Sequence, residues 1–458
     1  MLTFFDFALL PIYLILIISF HLRTKSRLIT ENPIYEFYVR GLSAKITGGI
    51  IFCLVYTLYY EGGDTTAYFL SGVYLFNLFF KNPEIWLKIM MNDLTWENYY
   101  FFDGETGFPV YFRDPQSFTV VRLTCLFQFF SLKSYLLTTT LLATVCYQGI
   151  WRFFTMFCEL YPSMRRSFYY SILLVPSILF WGSGILKDSY TLTAACWFTY
   201  SFYRIFINRK SVFINIIMMI LSAWLLIQIK PYIILALIPG SLIWLLLHYT
   251  TQLKDFGSKI ILAPIVGLLI FMGGYLTIST IQTSLKQYST VGKVIEKAIA
   301  TQNDLKQEYY QGNSFDIGTF DNSISGVLAK FPAAVTAGLF RPFLWESKNL
   351  VMIFAGLENA FMLGLTIFIL LRIGPLAFIR ATYSNPLVLF SIIFSLFFSF
   401  SVGLSTANFG ALVRYKIPAI PFYISGLMIV YNYYVKRSDD SPEVANLGQE
   451  VSDRVLPV

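Results

Sequence analysis

Two short constellations hold most of the chemistry this sequence offers. The first is Tyr59-Tyr60-Glu61-Gly62-Gly63-Asp64-Thr65-Thr66-Ala67-Tyr68. Two glycines between two carboxylates permit a tight turn that can aim both acids into one cavity. A carboxylate held there can take the proton of an attacking hydroxyl. The flanking aromatics, Tyr68 among them, suit a sugar-handling site. The same residues also fit a solvated turn with Asp64 as the N-cap of a following helix. The second constellation is basic. It comprises Phe340-Arg341-Pro342-Phe343-Leu344-Trp345-Glu346, Arg414-Tyr415-Lys416-Ile417-Pro418-Ala419-Ile420-Pro421, and the pair Lys187-Asp188. These cations border apolar runs. A lipid-linked phosphate would hold them at a membrane surface, as would structural ion pairs or snorkelling stems.

Spacing bears on how the cations converge. Arg414 and Lys416 stand two residues apart, about 200° around a helix, so a helix would send them to opposite sides. An extended segment would point both the same way, and residues before a proline prefer that form. The extended form is the expectation, with both side chains on one phosphate. Arg414 is expected to be the stronger, through its planar fork. Arg341, also followed by a proline, is expected to approach the same cavity. A third feature, Glu358-Asn359, lies within an apolar run, where a carboxylate is costly unless paired or lining a cavity. It fits a structural hydrogen-bond partner or a proton relay.

Other chemistries have little to draw on. The chain has two histidines, His21 and His248, and no GxxxxGKS, GxGxxG, HExxH or GxSxG string. No cofactor and no metal are therefore expected. The five cysteines (Cys53, Cys125, Cys146, Cys158 and Cys196) form no CxxC pair and read as packing residues.

Composition sets what must position these groups. Charged residues make up 13% of the 458, about half of the ~25% usual in soluble domains. Hydrophobic residues make up 56%, more apolar surface than a soluble chain of this length could bury. A soluble enzyme, a disordered chain and a nucleic-acid binder are excluded. The net charge of +8 is scattered between apolar runs and forms no stripe. The pattern predicts an all-α polytopic membrane protein of about 11 spans: 3–22, 46–60, 134–150, 168–183, 189–207, 212–229, 231–249, 259–281, 349–371, 386–405 and 417–435. The apolar stretch 118–131 contains Arg122 and is placed at the interface or as a half-span. No removable signal peptide is expected, because the first apolar run is long and has no basic leader.

The short loops give an orientation. Arg23, Lys25, Arg27, Arg40, Lys45, Arg152, Arg165, Arg166, Arg209, Lys210, Lys254, Lys259, Arg372, Arg380, Lys436 and Arg437 alternate onto one side. That side is expected to be cytoplasmic, with the N-terminus outside and the C-terminus inside. Two long segments, 61–117 and 282–348, then face outward. Residues 1–437 form one transmembrane domain, and 438–458 read as a disordered cytoplasmic tail.

A carboxylate on the first main outer loop, with long outer segments between many helices, resembles the GT-C superfamily of polytopic glycosyltransferases. The string Arg414-Tyr415-Lys416-Ile417-Pro418-Ala419-Ile420-Pro421-Phe422 is similar to an R-Y-R-x-P-x-x-P opening of a late helix in protein-mannosyltransferase-like members. It is also similar to polytopic polymerases of bacterial envelope polysaccharides. Trp181-Gly182-Ser183-Gly184-Ile185-Leu186-Lys187-Asp188 and the Arg341 string look like stretches of bacterial envelope proteins of this kind. Here the acid follows the second span, so the resemblance implies an extra N-terminal helix.

The resemblance implies a glycosyltransferase of the cell inner membrane. It would use a polyprenyl-phosphate- or diphosphate-linked sugar donor, with a glycan, lipid or protein acceptor on the outer face. Asp64 would be the base, with Glu61 as support or substitute. Arg414, Lys416, Arg341 and Lys187 would bind the donor phosphate, with Tyr68 and Trp345 as aromatic contacts. A polysaccharide polymerase of O-antigen or exopolysaccharide assembly would use the same groups. A transporter or flippase of a lipid-linked sugar would depend on Glu358 instead. No internal repeat of the kind transporters show is evident.

Overall fold

Backbone amides have no water to bond in a bilayer, so apolar runs fold as helices. Among the described residues the chain is helical, without a strand. The computed structural model describes residues 2–252, 268, 291–305, 314–318 and 323–439. The first helices are α1 (Phe4–Leu28), α2 (Tyr38–Leu58), α3 (Asp64–Lys81), α4 (Pro83–Met90), α5 (Trp96–Tyr99), α6 (Pro115–Ser131) and α7 (Tyr135–Leu160). They are followed by α8 (Arg165–Phe168), α9 (Pro176–Phe180), α10 (Lys187–Phe202), α11 (Val212–Ile229), α12 (Pro231–Gln252) and α13 (Val291–Leu305). The chain continues through α14 (Ile324–Ala329), α15 (Phe331–Phe340), α16 (Leu350–Ile373), α17 (Pro375–Ser384), α18 (Pro386–Ser405), α19 (Phe409–Tyr415) and α20 (Ile420–Asp439).

Among the described residues six helical segments are long and apolar enough to cross a membrane: Phe4–Leu28, Pro33–Leu58, Val212–Ile229, Pro231–Thr250, Leu350–Ile373 and Pro386–Ser405. The pair α6 and α7, bent by 109° at their junction, makes a seventh if it counts as one span. The chain is a multi-pass membrane protein.

Several expected spans are interrupted rather than continuous. The run 168–183 becomes α8, a π-turn at Tyr169–Leu173 and a separate α9 opened by Pro176. Proline lacks the amide that would continue the preceding helix. The run 417–435 opens with a 3-10 turn, Ile417–Ala419, before α20. Arg122 of the 118–131 stretch lies on α6 and is buried, donating to Met90 O at 3.1 Å and Thr119 Oγ1 at 2.8 Å. Lys45, counted above as a loop cation, is instead a buried residue of α2 that donates to the carbonyls of Ile178 and Gly182. The span 259–281, apart from residue 268, and the tail beyond Asp439 lie outside the described residues.

The interior is tied together by close helix crossings. Helix α7 packs on α2 and α10, while α18 packs on α12, α15 and α20. At the α15–α18 crossing a Cβ on Gly338 would sit 2.1 Å from Ser399 O, and one on Gly403 would sit 1.9 Å from Ala334 O. Small residues four apart on each helix let the backbones touch, and packing of this kind drives helix association in lipid. Phe422 joins Phe153 and Phe394 with ring centroids 4.5 and 4.6 Å away, linking α20 to α7 and α18. This core fixes α19, which bridges α18 and α20. All five cysteines are buried in the packed interior, none in a disulfide.

Candidate functional site

The Glu61–Asp64 turn is built on its glycines. Gly62 and Gly63 have φ of 152° and 125°, conformations that favour glycine. Gly62 N donates back to Tyr56 O at 3.1 Å. The chain then enters α3 with Gly63 as the cap and Asp64 as the first helical residue, not the cap. Negative charge in the first turn also suits the helix dipole. The turn aims one acid inward rather than two. Asp64 lines a cavity of about 930 Å³, whereas Glu61 is exposed and does not.

Arg414 reaches Asp64 from 350 residues away, with Nη1 3.2 Å from Oδ2. The segment bearing it is helical, contrary to the extended form expected. Asn408 caps α19 by accepting from Gly410 N at 2.8 Å and Ala411 N at 3.2 Å. The proline restriction acts on Ile417, directly before Pro418, and leaves Arg414 free to be helical. Helical rotation then separates the two cations. Arg414 lines the cavity. Lys416 is buried away from it and donates to Leu339 O (3.1 Å), Arg341 O (3.0 Å) and the Asn359 side chain. Lys416 is thus a brace between α15, α16 and the start of α20. Lys416→Met should lower the melting temperature of the purified protein, since each orphaned buried acceptor costs about 1–3 kcal/mol. Unchanged melting together with lost donor binding would return Lys416 to the site.

Two more expected contacts lie elsewhere. Arg341 pairs with Glu346, Nε to Oε1 at 3.0 Å, and its guanidinium stands 4.7 Å from the Phe315 ring centre. It does not line the cavity, because its charge is already satisfied in the loop that bears it. Trp345 is 82% exposed and stacks on Phe343 at 4.8 Å, also outside the cavity. Tyr68 does line the cavity, buried beside Tyr111 with ring centres 5.2 Å apart. Lys187, the first residue of α10, lines it too, with Nζ 3.6 Å from Asp114 Oδ2.

Three groups of the cavity wall, Tyr111, Asp114 and Asp188, were not expected as site residues, nor was Lys230, which pairs with Asp188 without lining the cavity. Tyr111 donates to Asp64 Oδ1 at 3.1 Å. Asp114 caps α6 and faces Lys187. Asp188 is buried and pairs with Lys230 at 2.5 Å, and Lys230 Nζ stands 3.9 Å from the Tyr415 ring centre. Lys230 had a usable signal, a lone cation between two apolar runs. Tyr111 had none, because only the folded loop brings it to Asp64.

The cavity's charged groups are therefore paired: Asp64 with Arg414, Asp114 with Lys187, and Asp188 with Lys230, which is not itself part of the wall. Burial pushes the Asp64 carboxyl up, but Arg414, Tyr111 and Lys187 outweigh it and hold it below the ordinary carboxylate value. Burial likewise raises Asp114, and Lys187 with local hydrogen bonds brings it below its usual value. At Lys187 burial wins over Asp114 and Asp64, and the ammonium is pulled down. Lys187 is the more enclosed partner, 22% exposed against 47% for Asp114, so desolvation weighs more on it.

Glu358 lies apart from these pairs. It accepts from Ser177 N at 2.7 Å and Ser177 Oγ at 2.6 Å, which ties α16 to the start of α9. Among the described residues no three His, Cys, Asp or Glu side chains group to hold a metal. Comparison with known proteins finds no family model that matches the chain, no similar curated protein and no similar solved structure.

Proposed function

We propose that this protein is an inverting glycosyltransferase of the bacterial inner membrane. It moves a sugar from a polyprenyl-phosphate or diphosphate carrier to an acceptor on the outer face, on a GT-C-like bundle of about 11 spans. One observation carries this reading. A carboxylate with a depressed pKa, an arginine and a lysine meet at one cavity roomy enough for a small ligand. Its lining residues fall in stretches that the loop charges assign to the outside or near the outward ends of the expected spans that adjoin them, as Tyr56, Trp181 and Met352 do.

The chemistry follows from the pairs. The acceptor hydroxyl attacks the anomeric carbon, and its proton passes to Asp64. The bond from that carbon to the carrier phosphate breaks, and its electrons leave with the phosphate. Arg414 and Lys187 stabilise the charge that develops there. An incoming phosphate competes with Asp64 for Arg414, so donor binding releases the carboxylate to accept the proton. One carboxylate suffices for inversion. A polymerase would run the same step with a lipid-linked repeat chain as the acceptor. The Glu358–Ser177 bonds favour a structural tie over a transporter's proton relay.

The outer-face assignment predicts a labelling pattern. A cysteine at position 105, on the exposed loop, should react with an impermeant reagent in intact cells. A cysteine at 210 should react only after permeabilisation. The reverse pattern would put the cavity inside and remove the outer-face transfer. Transfer itself is tested by following label from a polyprenyl-linked sugar into an acceptor.

A further inference from the structure

A second cleft, of about 400 Å³, lies in the first outer segment beside the main cavity. Its walls include Trp96, Tyr99, Tyr111, Arg113 and Asp114. Two of these, Tyr111 and Asp114, also line the main cavity, so the two spaces share a wall. From this geometry we infer that the cleft is the acceptor subsite and that it binds a carbohydrate chain. The inference rests on the transferase reading and narrows its acceptor to a glycan.

The lining fits a sugar better than a lipid or a peptide. A pyranose offers an apolar C–H face and a ring of hydroxyls that both donate and accept. The cleft answers with aromatic rings, a guanidinium that only donates and a carboxylate that accepts. A lipid tail would need a wall free of such charges. An extended peptide commonly adds to a sheet edge, and no strand exists among the described residues.

The cleft is also prebuilt, which lowers the cost of binding. Arg113 lies over the Trp96 ring at 4.3 Å. Thr95 caps α5, and Asn98 Nδ2 donates to Asp93 O at 3.0 Å. Further along, Lys81 holds Glu105 at 2.8 Å and also Asp103, and Asn77 donates to Thr106 O at 3.2 Å. These contacts anchor the loop to α3, the helix that starts with Asp64.

Tyr111 stands at the junction. Its φ is 65°, in the left-handed region. A bulky residue there costs about 1–2 kcal/mol, and such strain clusters where side chains are aimed for function. Its ring packs on Tyr68 while its hydroxyl bonds Asp64. A glycan lying on Trp96 and Tyr99 would pass Tyr111 and present its terminal hydroxyl to Asp64.

The test is direct binding. Full-length protein in nanodiscs is applied to a printed array of lipid-free hexose and acetamidohexose oligosaccharides. Saturable binding to a subset is expected. Trp96→Ala and Tyr99→Ala, each with an unchanged melting temperature, should weaken it by about tenfold. Glu84→Gln should still bind, because Glu84 lies outside the walls of both cavities. A silent array, or binding that Trp96→Ala leaves unchanged, overturns the subsite. The two readings fail separately. Glycan binding without transfer from any lipid-linked donor removes the transferase and keeps the cleft. Transfer to a non-carbohydrate acceptor with a silent array removes only the cleft.

Discussion

Asp64→Asn is expected to lower sugar transfer by about 10²–10⁴-fold while the protein stays folded. The amide keeps the shape of the carboxylate and loses its ability to take a proton. Its side chain is 44% exposed, and the amide oxygen can still accept from the more enclosed Arg414, which keeps the guanidinium partnered. Glu61→Gln should transfer normally, since Glu61 is exposed and outside the cavity. Full activity in Asp64→Asn with loss in Glu61→Gln would move the base to Glu61. The pH profile gives a second readout. Asp64 is held below its ordinary value, so the ionised base is present above that depressed value and is lost as pH falls through it. The acid limb of kcat/KM should therefore lie below the ordinary carboxylate range. Removing Arg414 takes away its pull on Asp64 and should shift that limb upward.

Arg414→Ala is expected to weaken turnover of the lipid-linked donor by about 10²–10³-fold, the usual effect of losing one charge-stabilising donor. Arg414→Lys should rescue only part of this, because an ammonium lacks the planar fork that binds two phosphate oxygens. Lys187→Ala should cost less than Arg414→Ala. Burial already depresses the Lys187 ammonium, and Asp114 competes for it. Turnover in Arg414→Ala equal to wild type would leave the phosphate without its main cation. The mechanism would then fail at its leaving group.

How much of this was legible in the sequence differs from residue to residue. Helices and membrane were written in composition, because uncharged apolar runs of span length have few other fates. The number of spans was less readable. Pro176 and the π-turn before it break a run that composition alone makes continuous. Asp64 was readable because two glycines beside an acid announce a turn. Arg414 was readable as a cation at a span mouth, and its partner was not. The Asn408 cap that makes α19 helical, and so parts Arg414 from Lys416, is a local signal that the proline rule obscured. Arg341 illustrates the limit of motif spacing. Glu346 is five residues away in the same string, yet only the folded loop pairs the two. Tyr111 reaches Asp64 through tertiary packing that no local pattern encodes.

The most direct test is a transfer reaction with purified protein in vesicles. The donor is a polyprenyl diphosphate bearing a radiolabelled sugar, and a polysaccharide extract serves as acceptor. Wild type should move label from the lipid to the polysaccharide, and Asp64→Asn should leave it on the lipid. Label that stays on the lipid with wild type, or moves equally with both proteins, would contradict a glycosyltransferase working through Asp64.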